Sequence, residues 1–263
     1  MDPRDGSVSH SHNDRNRNRR RRDDLRKDTF VAGLSPEGQI NKVIAEMNSL
    51  EGGYDLRNWS PSARKDLLPT LTITLEVDCA KKPVKVEVPK LALLVASPSF
   101  RAHMVQNLEA KKLGFTHKDI SLGAVKTIAK WLRDLCNNAE FPIVPVSDDL
   151  NVALELRLTA YRLGMHQYVG HIEERYISGV EHRVPSLVEI ATVTNNTREE
   201  YENDPIVVAL ANRLSYLCRH HKVSQEVQIS YANLLAEEKF DRILRAVQEN
   251  KVMAVSEGAE GTH

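Results

Sequence analysis

The chain has 263 residues, 41% apolar and 27% charged, with 36 Lys or Arg balanced by 36 Asp or Glu. That length allows one large or two small domains with a sizeable core. The longest purely apolar run, Leu91 to Ala96, is far short of the ~20 residues a membrane span needs, and the polar amino terminus shows no signal peptide. A nuclear or cytoplasmic protein with no membrane contact is expected. Three scattered cysteines, Cys79, Cys136 and Cys218, suggest neither a disulfide framework nor a zinc ribbon, in keeping with a reducing compartment.

Residues 1–28 hold nine Lys or Arg against six Asp, leaving 27 against 30 on the remainder. The main body therefore has no excess positive charge to hold nucleic acid. With almost nothing to build a core, residues 1–28 read as a disordered basic tail. Arg17, Arg19, Arg20, Arg21 and Arg22 within it are candidates for a nuclear-import signal or a nucleic-acid arm. A solubilising tail fits the same composition.

Residues 35–52 read as an amphipathic helix. Ser35-Pro36-Glu37 supplies a cap, a proline in the first turn and an early acid, and Gly52-Gly53 closes it. Ile40, Val43, Ile44 and Met47 follow at i, i+3, i+4 and i+7, a stripe that must find a surface because each side chain gains roughly 1.5 to 3 kcal/mol on leaving water. An isologous dimer interface and an intramolecular contact need the same stripe. Residues from Gly52 to Pro69 read as a linker.

Leu71, Ile73, Leu75 and Val77 alternate with polar residues, and Val84, Val86 and Val88 repeat the pattern after a short connection, which predicts a β-hairpin. Pro89 should end the second strand. Leu91, Leu94 and Val95 are spaced as a helix, and Ser97-Pro98 restarts one with Phe100, Met104 and Leu108 on one face. Glu109 to His117 reads as a charged loop and Lys118 to Leu122 as a third strand.

A helix carrying Val125, Ile128, Ala129, Leu132 and Leu135 comes next, then an extended Phe141-to-Pro145 connection. Ser147-Asp148-Asp149 caps a helix that includes Leu154 and Leu156 and whose few polar faces suggest burial on more than one side; Gly164 ends it and Gln167 to Ile177 forms another. Beyond Pro185 the pattern is helical throughout, residues 186–250, with starts at Ser186 and Asp204-Pro205 and a last helix holding Phe240, Ile243, Leu244 and Val247. Residues 251–263 read as a disordered tail.

No phosphate loop, nucleophile elbow or HExxH motif occurs. His166 and His171 do not share a helix face well, and of Cys218, His220 and His221 only two could meet one ion, so helix-end histidines account for both groups. No carboxylate pair stands out. The expectation is a protein without enzymatic activity, cofactor or metal.

Val84 to Val88, Lys90-Leu91-Ala92-Leu93-Leu94 and Ala96-Ser97-Pro98-Ser99-Phe100-Arg101-Ala102 resemble the strand, basic residue, helix, serine and phenylalanine-arginine run of the BTB/POZ domain, a protein interaction module. The resemblance covers residues 69–180, and the whole layout is similar to BTB-domain proteins of filamentous fungi. It implies an α+β fold, a small sheet packed on helices followed by an all-helical extension, and a scaffold that self-associates or recruits a protein partner. By the same resemblance Ile40, Val43, Ile44 and Met47 would form a homodimer helix.

Many family members act as adaptors for a cullin-type ubiquitin ligase, which would place a partner surface at Met104, Leu108 and Glu109. In this chain the apolar slot of the family's apolar-x-glutamate motif is Asn107. The charged pocket of repressor members keeps its base, Lys90, but Pro69-Thr70-Leu71 offers no aspartate and Pro89 stands where a histidine is common. Lys90 is then expected to be solvated. A nuclear regulator acting through the arginine cluster is the third functional class.

Overall fold

A computed structural model describes residues 31, 33–49, 55–68, 71–79, 82–197, 204–237 and 243–248. The arginine cluster, Phe240 and the carboxyl-terminal tail lie outside the described residues. The fold is α+β: a three-stranded mixed sheet near the amino terminus, accompanied by helices, precedes an all-helical region. The chain divides into two compact units. One holds the described residues up to Leu75 with Glu87–Leu113 and Ala129–Pro142; the other holds Glu76–Val86, Gly114–Ile128 and the described residues from Ile143 onward.

Helix α1, Pro36–Ser49, buries Ile40, Val43, Ile44 and Met47 as its spacing requires. The supposed linker is partly structured. Leu56–Asn58 is a 3-10 turn whose Asp55 side chain accepts from the Arg57 amide, and α2, Pro61–Lys65, is capped by Ser60. Leu56, Trp59 and Leu67 are buried, so these short elements are fixed by their apolar residues rather than by helix propensity.

Strands β1, Thr72–Asp78, and β2, Val84–Pro89, form the expected hairpin, with Ile73, Leu75 and Val77 all buried. The Lys90 amide donates to Leu71 O at 2.8 Å, closing the far end. Helix α3, Lys90–Ala96, is buried at every residue and packs against α1, the 3-10 turn and α4, Pro98–Gln106. Ser97 separates α3 from α4 and its hydroxyl accepts from the Phe100 amide at 2.9 Å. Asn107 caps α4, so Leu108 lies beyond the helix and Val105 faces solvent, correcting the single apolar face read through Leu108.

The third strand is β3, Lys112–Thr116, beside β1 in the order β2-β1-β3. This corrects the strand expected at Lys118 to Leu122. Asp119 there is a turn residue, accepting from the Thr116 amide at 3.2 Å and hydroxyl at 2.7 Å, and these bonds hold its carboxyl below the usual aspartate range. Gly114 between Leu113 and Phe115 blurs the alternation that marks the real strand.

Helix α5, Leu122–Asn137, follows the sheet. The second unit is built on α6, Leu150–Arg162; α7, Gly170–Val180; α8, Leu187–Asn196; α9, Pro205–Arg219; and α10, Gln225–Leu235. Asp149, Ser186, Asp204 and Ser224 cap four of these through side-chain oxygens, each worth about 1 kcal/mol. Helix α9 packs on α7 and α8, and α8 on α6 and α10. Their shared core includes Leu154, Val180, Val193, Ile206, Leu210 and Leu214, and Ile243 and Val247 join it from the helical residues 243–248.

Candidate functional site

The structure places the expected dimer stripe inside the chain. Ile40, Val43, Ile44 and Met47 are buried, with α1 packed on α3. The reading of these four residues as an exposed dimer surface is corrected: the area they remove from water is already spent within the fold. Met104 is likewise fully buried, Leu108 is half-buried and only Glu109 is exposed, so the three do not form one apolar partner surface.

The interior of the first unit instead holds cations aimed at backbone carbonyls. Lys90, expected to be solvated, is buried, and its ammonium donates to Leu108 O at 3.1 Å and Ala110 O at 2.8 Å, fastening the segment after α4. Burial lowers its pKa. Arg101 donates to Leu94 O at 2.6 Å and Val95 O at 3.0 Å at the end of α3. Arg64 reaches from α2 to Asn138 O and Ala139 O, both at 2.9 Å, and lies 5.7 Å from the Phe141 ring centroid. The last carbonyls of a helix lack intrahelical partners, so the Arg101 guanidinium completes α3. Arg64 ties down carbonyls of the segment after Asn137, while its own buried Nε has no hydrogen-bond partner among the described residues.

The second unit holds a denser constellation. Arg157 of α6 is 2% exposed, and it donates to Asp204 at 2.9 and 3.2 Å and to Glu173 of α7 at 2.9 Å. Burial alone would lower the pKa of the guanidinium, but the two carboxylates reverse the shift and keep it charged. Its carbon lies 4.7 Å from the Tyr161 centroid, and the Tyr161 hydroxyl donates to Glu173 at 2.6 Å. Burial and that carboxylate push the Tyr161 hydroxyl up to about 12. The constellation ties α6, α7 and the start of α9 together.

A second cluster surrounds Glu189 of α8, which accepts from Tyr176 at 3.0 Å and from Arg183 at 2.7 Å. These residues with Asp148, Arg175, Leu154 and Ile172 line a cleft of about 340 Å³. Burial and the Glu189 carboxylate raise the Tyr176 pKa further than that of Tyr161, and the hydroxyl keeps its proton and donates it in the hydrogen bond to Glu189. Arg175 and Asp148, 2.6 Å apart across the mouth, are solvent-exposed and contribute little to stability.

A larger groove of about 430 Å³ lies beside α7 and α9, with Ile177, Pro205, Val208 and Ala209 as apolar walls and Arg213 and Tyr216 among its polar residues. His171 makes a 3.0 Å hydrogen bond through Nε2 with Val144 O. Among the described residues no three His, Cys, Asp or Glu come together as a metal site, and no helix is long and apolar enough to cross a membrane. No family model, curated protein or solved structure matches the chain.

Sequence reasoning missed Arg64, Arg101 and Arg157 as interior residues. For Arg157 a signal existed: it falls three residues after Leu154 and three before Ala160, on the inward face of α6.

Proposed function

We propose that the chain is a non-enzymatic protein interaction scaffold with a BTB/POZ-like amino-terminal part, acting by self-association and recruitment of a protein partner. The observation that carries this reading is the hairpin-to-α4 assembly. The resemblance-bearing residues each do a structural job within it: Lys90 fastens the segment after α4, Ser97 caps α4, Phe100 is buried and Arg101 ties off α3. Most charged groups of the interior are bonded to carbonyls or to one another, and large apolar side chains stand exposed at the surface. Val188 is 75% exposed, with Val184, Leu187 and Ile229 also open to solvent, and burying such side chains against a partner would be favourable.

The cullin-adaptor reading loses its principal apolar contact with Met104 buried, and the nuclear-regulator reading rests on arginines outside the described residues. Self-association is tested by fusing the full chain to two halves of a split luciferase in the same cell. Reconstituted light that falls when untagged chain competes supports the reading; light no greater than that of unfused halves contradicts it.

A further inference from the structure

We infer that the groove beside α7 and α9 docks an acidic amphipathic segment of a partner protein, with apolar side chains in the hollow and carboxylates on the cationic end of α9. This deepens the scaffold reading and rests on it. Between Asp204 and Glu226 the chain has no acidic residue, while Arg213, Arg219, His220, His221 and Lys222 all fall there. Tyr216, 44% exposed, stands at the border between hollow and charge. Its ring lies 5.4 Å from the Arg213 guanidinium carbon and 4.6 Å from the His220 ring, which restrain it from two sides.

Arg213 is itself fixed, donating through Nε to Arg183 O at 2.8 Å. The turn after α9 is equally defined: the Lys222 amide bonds Leu217 O at 2.9 Å and His221 adopts φ 49°. Cations in the last turn of a helix also complement its dipole, which accounts for Arg219 and His220 by themselves. The dipole does not account for an apolar hollow of about 430 Å³ adjoining them, a size within the range of ligand sites. Nor does it account for a restrained, exposed tyrosine beside an arginine, the residue types that dominate interface energetics. Within the lining Glu181 and Arg213 balance each other, so the positive excess lies past Tyr216, where Arg219 and Lys222 follow with no acid before Glu226, and the complementary charge on that end of the occupant is negative.

The test is a random peptide library displayed on phage and selected on the immobilised full chain. Enriched peptides should combine apolar residues with net negative charge. Synthetic versions should bind roughly tenfold more weakly to Asn212→Glu and to Lys222→Glu, and more weakly still as salt is raised. Both substituted residues are exposed, and circular dichroism matching wild type verifies the fold. Enrichment of neutral or basic peptides, no enrichment at all, or acidic peptides indifferent to both substitutions overturns the inference. The last outcome moves the docking surface elsewhere and leaves the scaffold reading standing, which the luciferase experiment judges separately.

Discussion

Arg157 and Asp204, 47 residues apart in sequence, meet through two hydrogen bonds of 2.9 and 3.2 Å with side chains 2% and 4% exposed. Asp204 also accepts from the Ile206 amide at 3.0 Å, so one carboxylate neutralises a buried cation and caps α9. Removing Asp204 leaves the buried Arg157 with Glu173 but without its bidentate partner, and leaves α9 without its cap. Asp204→Ala is therefore expected to cost about 3 to 5 kcal/mol in urea denaturation. Asp204→Asn, which can still cap, should cost less. A loss under about 1 kcal/mol for Asp204→Ala would mean the pair is not formed in solution.

Gly179 of α7 has a steric reason to be glycine. A Cβ there would stand 2.7 Å from Nη1 of Arg183 and push the guanidinium off Glu189. Glycine to alanine within a helix ordinarily gains about 0.5 to 1 kcal/mol. Here the gain should vanish in wild type and reappear when Arg183→Ala is already present, a double-mutant cycle read by thermal or urea unfolding. Equal effects of Gly179→Ala in both backgrounds would rule the contact out.

His221 occupies the left-handed position that glycine favours after a helix, at φ 49°, with the Lys222 amide on Leu217 O. Replacing it by glycine should raise stability by about 1 kcal/mol. No change or a loss on thermal unfolding would show that the imidazole makes compensating contacts.

Cys136 is buried in α5, and desolvation pushes its thiol up to about 12, with Arg64 opposing weakly. The folded pKa lies above the ordinary 9.0, so the contribution is whole below pH 9 and is lost as pH climbs toward 12. The slope is at most about 1.4 kcal/mol per pH unit. Tyr161 acts in the same sense from pH 10 upward, whereas Lys90, lowered by burial, acts in the opposite sense below 10.5. Urea titrations between pH 8.5 and 10 should show a shallower fall for Cys136→Ala than for wild type. Identical slopes would contradict the buried thiol. Below pH 9 the folded thiol should also resist alkylation while the half-buried Cys79 and Cys218 react.

Much of the fold was legible because its signals are local. The alternation of Leu71 to Val77, the stop at Pro89, and the caps at Ser97, Asp149, Ser186 and Asp204 all depend on residues within a turn of one another. The interior cations were not legible, because their partners are distant: Arg64 bonds carbonyls more than 70 residues away and Arg157 finds Asp204 across 47. Composition rules place Lys and Arg outside unless paired, and the pairing is a tertiary fact. The α1 stripe showed that a surface was needed but not whose, since Ile40, Val43, Ile44 and Met47 would look the same facing a second chain. The structure assigns them to α3, which moves any interface to other surfaces.

The most direct measurement is light scattering on the full chain eluting from a size-exclusion column, loaded at a concentration of about tens of micromolar, in the range where modest protein interfaces associate. A mass of at least two chains, falling toward one on dilution, is expected. A single-chain mass that does not change with concentration would contradict self-association as the scaffold's mode of action.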